Sequence, residues 1–341
     1  MRRSKLITAL SAEQGLVVVG PEALTVRRVR CGKGFGFRTS TGAAVRNASD
    51  IARMRSLAVP PAYVDVRYAT DPNAHLQAVG TDAAGRLQYR YHPKWTEVRE
   101  ALKARRLGGI ARSLPAIKRA VGKALAGESA DAAHAIAAVV HLVHLTAIRA
   151  GSESYARDNG TRGATTLLKS NIKLDGSNVV LAFKAKGGKA VSKEVRDARL
   201  ARALARLLSL PGRRLFQYRD AAGGVHQVRA QEVNAFLCTV AGRRISLKDF
   251  RTLVASSGAL EALSNLAPAT SERGRRSQLK VAMTAVSEEL ANTPAIARKS
   301  YVHNAIVEAF EDGRLARLRK PPRSGQRKAD MLAKLVARHA V

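Results

Sequence analysis

Two patterns of hydrophobic and polar residues divide the chain near residue 97. Residues 16–98 contain short β-prone runs bounded by Gly, Pro, Asn or Asp, namely LVVVG, CGKGFGFRTSTGAAV, AYVDVRYAT and GRLQYRYH, which is typical of strands joined by turns. One helix is predicted over residues 50–58, ending before Pro60 and Pro61. Residues 1–97 are therefore predicted to form a small β-rich domain.

From about Thr96 onward, apolar residues recur at intervals of three and four, which indicates helices. Later helices are predicted over DARLARALARLLSL, QEVNAFLCTVAG, LKDFRTLVASSGALEALSN, SQLKVAMTAVSEELA and residues 294–310. Two β-prone runs flank Lys186-Gly187-Gly188, which predicts a tight hairpin. The predicted fold class is α+β, with a larger, mainly helical domain over residues 98–312. A basic tail, residues 313–341, contains a short final helix after Pro321-Pro322.

The composition narrows the possible partners. Of 341 residues, 59 are Lys or Arg and 26 are Asp or Glu, so the net charge is +33, which favours a polyanionic partner. Hydrophobic residues make up 46% of the chain, which excludes a disordered polycation. Cys31 and Cys238 are far apart and lack C-x-x-C spacing, which favours a reducing compartment. Neither a secretory signal nor a membrane span is predicted, and we expect a soluble, cytoplasmic protein.

The sequence lacks the motifs of several common cofactor and metal sites. The GKGFGF segment at residues 32–37 lacks the spacing of a phosphate-binding loop and a following helix, so a β-turn is predicted there. His134, His141 and His144 have no accompanying third ligand or general-base Glu of the kind a zinc site needs. The sequence also has no carboxylate group typical of two-metal nucleases. We therefore expect no cofactor, and any phosphoryl transfer would depend on cationic side chains.

Five residues have the chemistry that metal-free phosphoryl transfer requires. They are Arg149 in TAIRAGSESYARDNG, Lys186 in FKAKGGKAV, Arg251 in SLKDFRTLVAS, and Asn292 and Tyr301 in ELANTPAIARKSYVHNAI. Arginine binds phosphate through its planar fork, lysine can donate a proton once its pKa is lowered, and a phenolate can attack phosphorus. Taken singly, each could be a helix-end, turn or surface residue, so only their combination indicates catalysis.

Long collinear segments of this chain resemble the bacterial, poxvirus-like branch of type IB DNA topoisomerases. In the amino-terminal part they are GKGFGFRTSTGAAV, SLAVPPAYVDV, PNAHLQAVGTDAAGR and GRLQYRYHPKW. In the second part they are IRAGSESYARDNGTRGATTL, FKAKGG, LPGRRLFQYRDAAG, LKDFRT and NTPAIARKSYVHNAI. The resemblance implies a catalytic domain of the type IB topoisomerase and tyrosine recombinase kind. It also implies ATP-independent relaxation of supercoiled DNA through transient single-strand cleavage, strand rotation and religation.

The resemblance assigns a role to each of the five residues. Tyr301 would attack a DNA phosphodiester and form a 3′-phosphotyrosyl intermediate. Arg149 and Arg251 would hold the scissile phosphate, and Lys186 would protonate the departing 5′-oxygen. Asn292 stands where many relatives have a histidine, and its amide can donate a hydrogen bond but cannot carry charge.

The same resemblance places DNA-contacting residues in the amino-terminal domain. Arg86, Gln88, Tyr89 and Tyr91 match the family's DNA-contacting strand, and strand alternation puts the two tyrosines on one face. The implied partner is double-stranded DNA, gripped by a monomeric clamp in the nucleoid. The chain departs from the family at Leu87, Leu253 and near Ala150 and Ser152, which affects possible phosphate contacts and packing but removes no catalytic group.

Two other functions fit part of the sequence. A tyrosine recombinase uses a related arrangement of Arg, Lys, Arg and Tyr, but usually has a histidine where this chain has Lys248. A non-enzymatic DNA-compacting protein would need only the positive charge. The role of the basic tail is open between added DNA affinity and a solvated helix packed on the domain.

Overall fold

The structure, a computed structural model, describes residues 3–317 and 325–337. The chain divides into two compact units, Met1–Leu102 and Lys103–Val341. The division falls inside a long helix, Trp95–Ala126. The sequence pattern placed the boundary five residues earlier, where the periodicity changes from two to about three and a half.

The first unit is built on one antiparallel sheet. Its strands are β1 Val26–Cys31, β2 Gly34–Arg38, β3 Val64–Tyr68, β4 Leu76–Thr81 and β5 Leu87–Tyr91. Their order in the sheet is β2-β1-β3-β4-β5, so β5 is an edge strand. Phe37, Tyr68 and Met54 pack together in a buried cluster on this sheet. Gly32 and Lys33 of the GKGFGF segment form the predicted turn from β1 into β2, and its other four residues belong to β2.

Local pairing explains where this unit departs from the predictions. The LVVVG segment, predicted to be a strand, does not form one in the described residues. Val17 makes only an isolated parallel bridge to Ala74. The predicted helix, α2, covers Ala48–Ser56 and starts earlier than expected because the Asn47 side chain accepts a hydrogen bond from its first turn. A helix that the sequence pattern did not predict, α1, covers Arg3–Glu13.

The second unit is mainly helical, as predicted. Its helices are α3 Trp95–Ala126 (which begins in the first unit), α4 Ala132–Thr146, α5 Glu153–Asn159, α6 Ala198–Leu208, α7 Ala230–Ala241, α8 Leu247–Ser264, α9 Glu272–Glu289, α10 Pro294–Ser300, α11 Asn304–Glu311, α12 Arg314–Arg317 and α13 Gly325–Ala337. Helices α4 and α8 are the most enclosed, and both contribute fully buried side chains to a single large core. Four of the five catalytic candidates, all except Lys186, lie near the ends of helices of this unit or in the segments that follow them.

The predicted hairpin is present inside a small sheet. Strands β6 Ile172–Asp175, β7 Asn178–Lys184 and β8 Ala190–Arg196 pair in that order. Gly187 and Gly188 have φ values of 79° and 76° at the turn between β7 and β8, a conformation that side chains disfavour. A second hairpin, β9 Gln217–Arg219 with β10 Val225–Gln227, was not predicted because each strand is only three residues long.

The predicted continuous helix over residues 294–310 is wrong. Helix α10 ends at Ser300 and α11 starts at Asn304, so Tyr301 lies in the break, with φ −126°. The Ser256 hydroxyl on α8 donates a hydrogen bond of 2.9 Å to the Tyr301 carbonyl. This contact from α8 satisfies the Tyr301 carbonyl, so the helix can be interrupted where the sequence pattern favoured its continuation.

The predicted final helix is confirmed as α13. It buries Ala329, Leu332 and Val336 and packs against α8 and α11, so within the tail this helix is part of the folded core. Pro321-Pro322, predicted to break the tail, lie outside the described residues. Of the helices described, none is long and apolar enough to span a membrane.

Candidate active site

Arg251 is the most enclosed of the five predicted catalytic residues. At the start of helix α8, the Ser246 N–H and hydroxyl both donate to the Asp249 carboxylate, at 2.8 and 2.9 Å, and Asp249 also accepts from the Arg106 guanidinium at 2.7 Å. This start places Arg251, at 3% exposure, on the buried side of the helix. Its guanidinium donates hydrogen bonds to the carbonyl oxygens of Ala147 and, at 3.0 Å, Leu290. Backbone oxygens from two other segments thus fix the fork of this arginine.

Arg149 and Asn292 are directly paired. Helix α4 ends at Thr146, and the left-handed backbone of Ala147, its C-cap, turns the chain toward Arg149. The Arg149 guanidinium donates a hydrogen bond to the Asn292 side-chain oxygen. The Asn292 amide nitrogen is buried and has no partner among the described residues. The pair therefore presents one arginine fork and one uncommitted amide donor.

Tyr301 faces cations from helix α8 and from the segment that follows α4. Its side chain is 9% exposed, and the Arg251 guanidinium carbon lies 4.9 Å from its ring centroid. Burial acts to raise the pKa of the Tyr301 phenol, but the charge and hydrogen bond of Arg251, followed by the charges of Arg149 and Lys248, lower that pKa by more. The net pKa lies below the usual value of 10.0. Four of the predicted residues, Arg149, Arg251, Asn292 and Tyr301, therefore lie in one connected cluster.

Lys186 lies apart from that cluster. It sits in the β7–β8 turn, and its ammonium lies 5.0 Å from the ring centroid of Tyr155 on α5. Within the described residues it makes no hydrogen bond or ion pair to any of the other four. The structure thus places the predicted proton donor on the hairpin but not beside the phenol.

Three further lysines contact the cluster, and sequence reasoning missed their roles. Lys248, one turn before Arg251 on α8, lies 6.0 Å from the Tyr301 ring centroid. Lys189 donates to the Asn292 carbonyl at 3.0 Å, and Lys193 donates to the Glu289 carbonyl at 2.6 Å. Desolvation lowers the pKa of Lys193 despite the opposing charge of Glu289, and the charge of Arg251 lowers it further.

A sequence signal existed for two of these lysines. Lys248 and Arg251 are three residues apart, so a helix places them on one face. Lys193 lies two residues after the buried Val191 on β8, so strand alternation puts both side chains on the same, inward face. No local pattern indicates Lys189, because its partner is a backbone oxygen 103 residues away.

The predicted DNA-contacting residues lie at the exposed edge of the first unit. Tyr89 and Tyr91 on β5 are 42% and 41% exposed, and their rings stack with centroids 6.2 Å apart. Arg86 and Gln88 both bind the Asp82 carboxylate, at 3.0 and 2.9 Å. The hydrogen bond from the Arg86 side chain is the largest of the effects that lower the pKa of Asp82 to about 2. Asp82 is a residue that the sequence reasoning missed.

The histidines noted in the sequence do not converge. His141 lies 3.2 Å from the Asp197 carboxylate, His144 packs its ring against Phe250, and the His134 ring approaches the Ala203 carbonyl. In the part of the chain that is described, no group of three or more His, Cys, Asp or Glu side chains could hold a metal ion.

The fold and this cluster together define a class of protein. A β-rich unit precedes a helical unit in which a buried tyrosine with a lowered pKa lies beside two arginines and an amide. These are the groups that phosphoryl transfer through a covalent tyrosine intermediate requires. The α+β class predicted from the sequence is confirmed.

Comparison with known proteins identifies the family. A model of the catalytic core of eukaryotic DNA topoisomerase I matches residues 93–323, and a model of the bacterial DNA topoisomerase IB N-terminal domain matches residues 34–82. The chain is 30% identical over 270 residues to DNA topoisomerase 1B of Acanthamoeba polyphaga mimivirus, which covers 77% of this chain and 80% of the viral protein. The chain therefore belongs to the type IB DNA topoisomerases, isomerases that act on DNA, as the resemblance in its sequence implied.

A solved structure of the XerH site-specific recombinase, bound to its difH substrate before cleavage, is also similar. The match has a TM-score of 0.36 and 12% identity, and it covers 61% of this chain and 53% of the recombinase. The chain thus spans about half the length of that protein, and the likeness is too low to bear on function.

Proposed function

We propose that this topoisomerase relaxes supercoiled double-stranded DNA with Tyr301 as its nucleophile. The observation that carries the proposal is the lowered pKa of the Tyr301 phenol, held beside Arg251 with Arg149 and Lys248 nearby. A phenol with a lowered pKa is more readily deprotonated, and the phenolate is the attacking species. Its oxygen bonds to phosphorus, the 5′-oxygen leaves, and a 3′-phosphotyrosyl ester remains.

The two arginines and Asn292 would hold the scissile phosphate. The forks of Arg149 and Arg251 would stabilise negative charge on the non-bridging oxygens as it develops. The buried Asn292 amide nitrogen lacks a partner in the described chain, so a phosphate oxygen would satisfy it. Because these donors are already held by neighbouring groups, little reorganisation accompanies the reaction.

Lys186 would protonate the departing 5′-oxygen after DNA binds. Its ammonium currently lies over the Tyr155 ring, a contact worth about 0.5–1 kcal/mol at an exposed site. A phosphodiester offers a stronger attraction, so the hairpin can bring Lys186 to the leaving oxygen at modest cost. The free 5′-hydroxyl end would then rotate and attack the phosphotyrosine in the reverse step, which needs no ATP.

The edge strand β5 would contact the DNA duplex. Exposed Tyr89 and Tyr91, with Gln88, would reach base edges, while Arg86 would contact the phosphate backbone. Each unit would thus contribute a surface to one duplex in a monomeric complex. It follows that the protein would act in the cytoplasm, at the nucleoid.

The direct test uses supercoiled plasmid with EDTA present and nucleotide absent. We expect wild type to relax the plasmid and Tyr301→Phe to bind DNA without relaxing it. Tyr218→Phe is the matched control, because its hydroxyl binds Glu232 at 3.2 Å outside the cluster, and it should relax plasmid normally. Peptide mapping of a trapped adduct should locate the DNA on Tyr301. Full relaxation by Tyr301→Phe, or an adduct on another residue, would refute the proposal.

A further inference from the structure

A cavity in the helical unit is not used by the proposed reaction. It has a volume of about 250 Å³ and is lined mainly by residues of α3 and α4, with Phe250 of α8 and Arg199 of α6. Its walls are aliphatic, formed by Leu114, Ile117, Val121 and Val140. A dry cavity of about 150 Å³ with this kind of lining accommodates benzene. The space is therefore large enough for one aromatic ring carrying a small substituent.

The open side of the cavity is positively charged. Lys118 of α3 and Arg199 of α6 are exposed lining residues, and the imidazole of His141 lies beside them. The Asp197 carboxylate is near this side, 3.2 Å from the His141 Nε2 atom, so it offsets part of this positive charge. An apolar interior with cations at its entrance complements a ligand that has one apolar end and one anionic end.

His144 adds a polar group inside the cavity. Its Nδ1 atom is buried and has no hydrogen-bond partner in the described chain. Burial, with smaller contributions from the charges of Lys118 and His141, lowers the pKa of His144 to about 4. The ring is therefore neutral near pH 7. As a cavity-lining residue, the neutral His144 ring adds a polar group to an otherwise largely aliphatic wall.

Gly122 is a cavity-lining position at which a side chain can be added. A Cβ built on Gly122 would have nothing within 4 Å, and the residue lies near the C-terminal end of α3 and lines the cavity. Its backbone is helical, so a larger residue can replace it without strain, and replacing helical glycine favours folding. The position offers a way to block the cavity while every charge is kept.

We propose that this cavity is a binding site for a small aromatic carboxylate. The ring would lie among Leu114, Ile117 and Phe250, and the carboxylate would lie between Lys118, Arg199 and the His144 imidazole. Phe250 immediately precedes Arg251 on α8, so the bound ring would contact the helix that carries this active-site arginine. The site is separate from the phosphate-binding cluster, and its occupancy does not depend on the proposed reaction.

The test measures binding of 4-fluorobenzoate to the full-length, DNA-free protein by fluorine NMR relaxation at physiological ionic strength. The variants are Gly122→Leu, which fills the cavity, and Lys118→Met, which removes one entrance charge. Lys123→Met is the matched control because it removes an exposed charge from the same helix outside the cavity. 4-Fluorobenzyl alcohol serves as the uncharged ligand. Thermal unfolding and plasmid relaxation confirm that each variant is folded.

We expect saturable binding to wild type and to Lys123→Met with the same affinity. Gly122→Leu should bind at least tenfold more weakly, Lys118→Met about threefold more weakly, and the alcohol more weakly than the carboxylate. Equal binding by wild type and a folded Gly122→Leu would overturn the proposal, since attraction to the overall positive charge would then explain it. Absence of saturable binding to wild type would overturn it as well.

Discussion

The two units arrange their functional tyrosines in opposite ways. In the first unit, Tyr89 and Tyr91 are about two-fifths exposed on an edge strand. In the second, Tyr301 is 9% exposed and lies against a guanidinium that is itself buried. Exposed side chains can adapt to a DNA surface, whereas reactive ones gain from fixed neighbours and low dielectric. The comparison predicts that catalysis will be sensitive to small changes in the second unit and binding tolerant of them in the first.

The largest effect is expected at Arg251. We expect Arg251→Lys to slow single-turnover cleavage by about 10²–10³-fold, because an ammonium cannot reproduce the fork that binds Ala147 and Leu290 and faces Tyr301. DNA affinity should change little. Arg244→Lys, an exposed position before α8, is the control. A cleavage rate for Arg251→Lys within threefold of wild type would contradict the prediction that the second unit is sensitive to small changes.

The next effect is on the pH dependence of cleavage. Since the pKa of Tyr301 is lowered in the folded protein, the cleavage rate should rise about tenfold per pH unit and level off below pH 10. Removing a cation disfavours the phenolate and raises the pKa. Lys248→Met should therefore move the rising limb to higher pH. Single-turnover rates across pH measure this, and an unmoved or downward-shifted limb would contradict the role of Lys248.

A smaller effect is expected where β8 binds the C-terminal end of α9. Lys193→Met removes the hydrogen bond to the Glu289 carbonyl, next to the Leu290 carbonyl that Arg251 binds. We expect cleavage to slow about fivefold, because a loosely held donor stabilises the transition state less well. Lys173→Met, an exposed lysine of the same sheet, is the control and should behave as wild type. Equal rates for both variants would show that this contact does not position Arg251.

The smallest effect is expected in the first unit. Asp82→Asn weakens the hold on Arg86 and Gln88, so Arg86 should be able to contact one more phosphate. The slope of log affinity against log salt should then steepen by about 0.9, with cleavage of bound DNA unchanged. Asp65→Asn is the matched loss of charge, and Asn tolerates the left-handed backbone there. A slope equal to that of Asp65→Asn would exclude a specific role for Asp82.

Local patterns predicted most of the fold but not its interruptions. The β7–β8 hairpin was predictable because Gly187 and Gly188 adopt a backbone conformation that other residues avoid. The break at Tyr301 was not predictable, because it depends on the Ser256 hydroxyl, 45 residues away in the chain. The β9–β10 hairpin was missed since three-residue strands carry too little alternation to detect.

In the candidate site, too, one part was predictable from the sequence and another was not. The identities of Arg149, Lys186, Arg251, Asn292 and Tyr301 came from matching motifs, and their roles remain predictions. What no motif contained was the set of contacts among them. Lys189 and Lys193 bind backbone carbonyls, and a carbonyl oxygen has no residue-specific signal in a sequence.

By itself, the sequence determined the two kinds of unit, the positive charge and the residue types available for phosphoryl transfer, because periodicity and side-chain chemistry are properties of short segments. Only the tertiary structure decided that four of the five candidates meet while Lys186 lies over Tyr155. It also decided that the pKa of the Tyr301 phenol is lowered, since burial and neighbouring charge oppose each other there and the distances between segments settle which is larger.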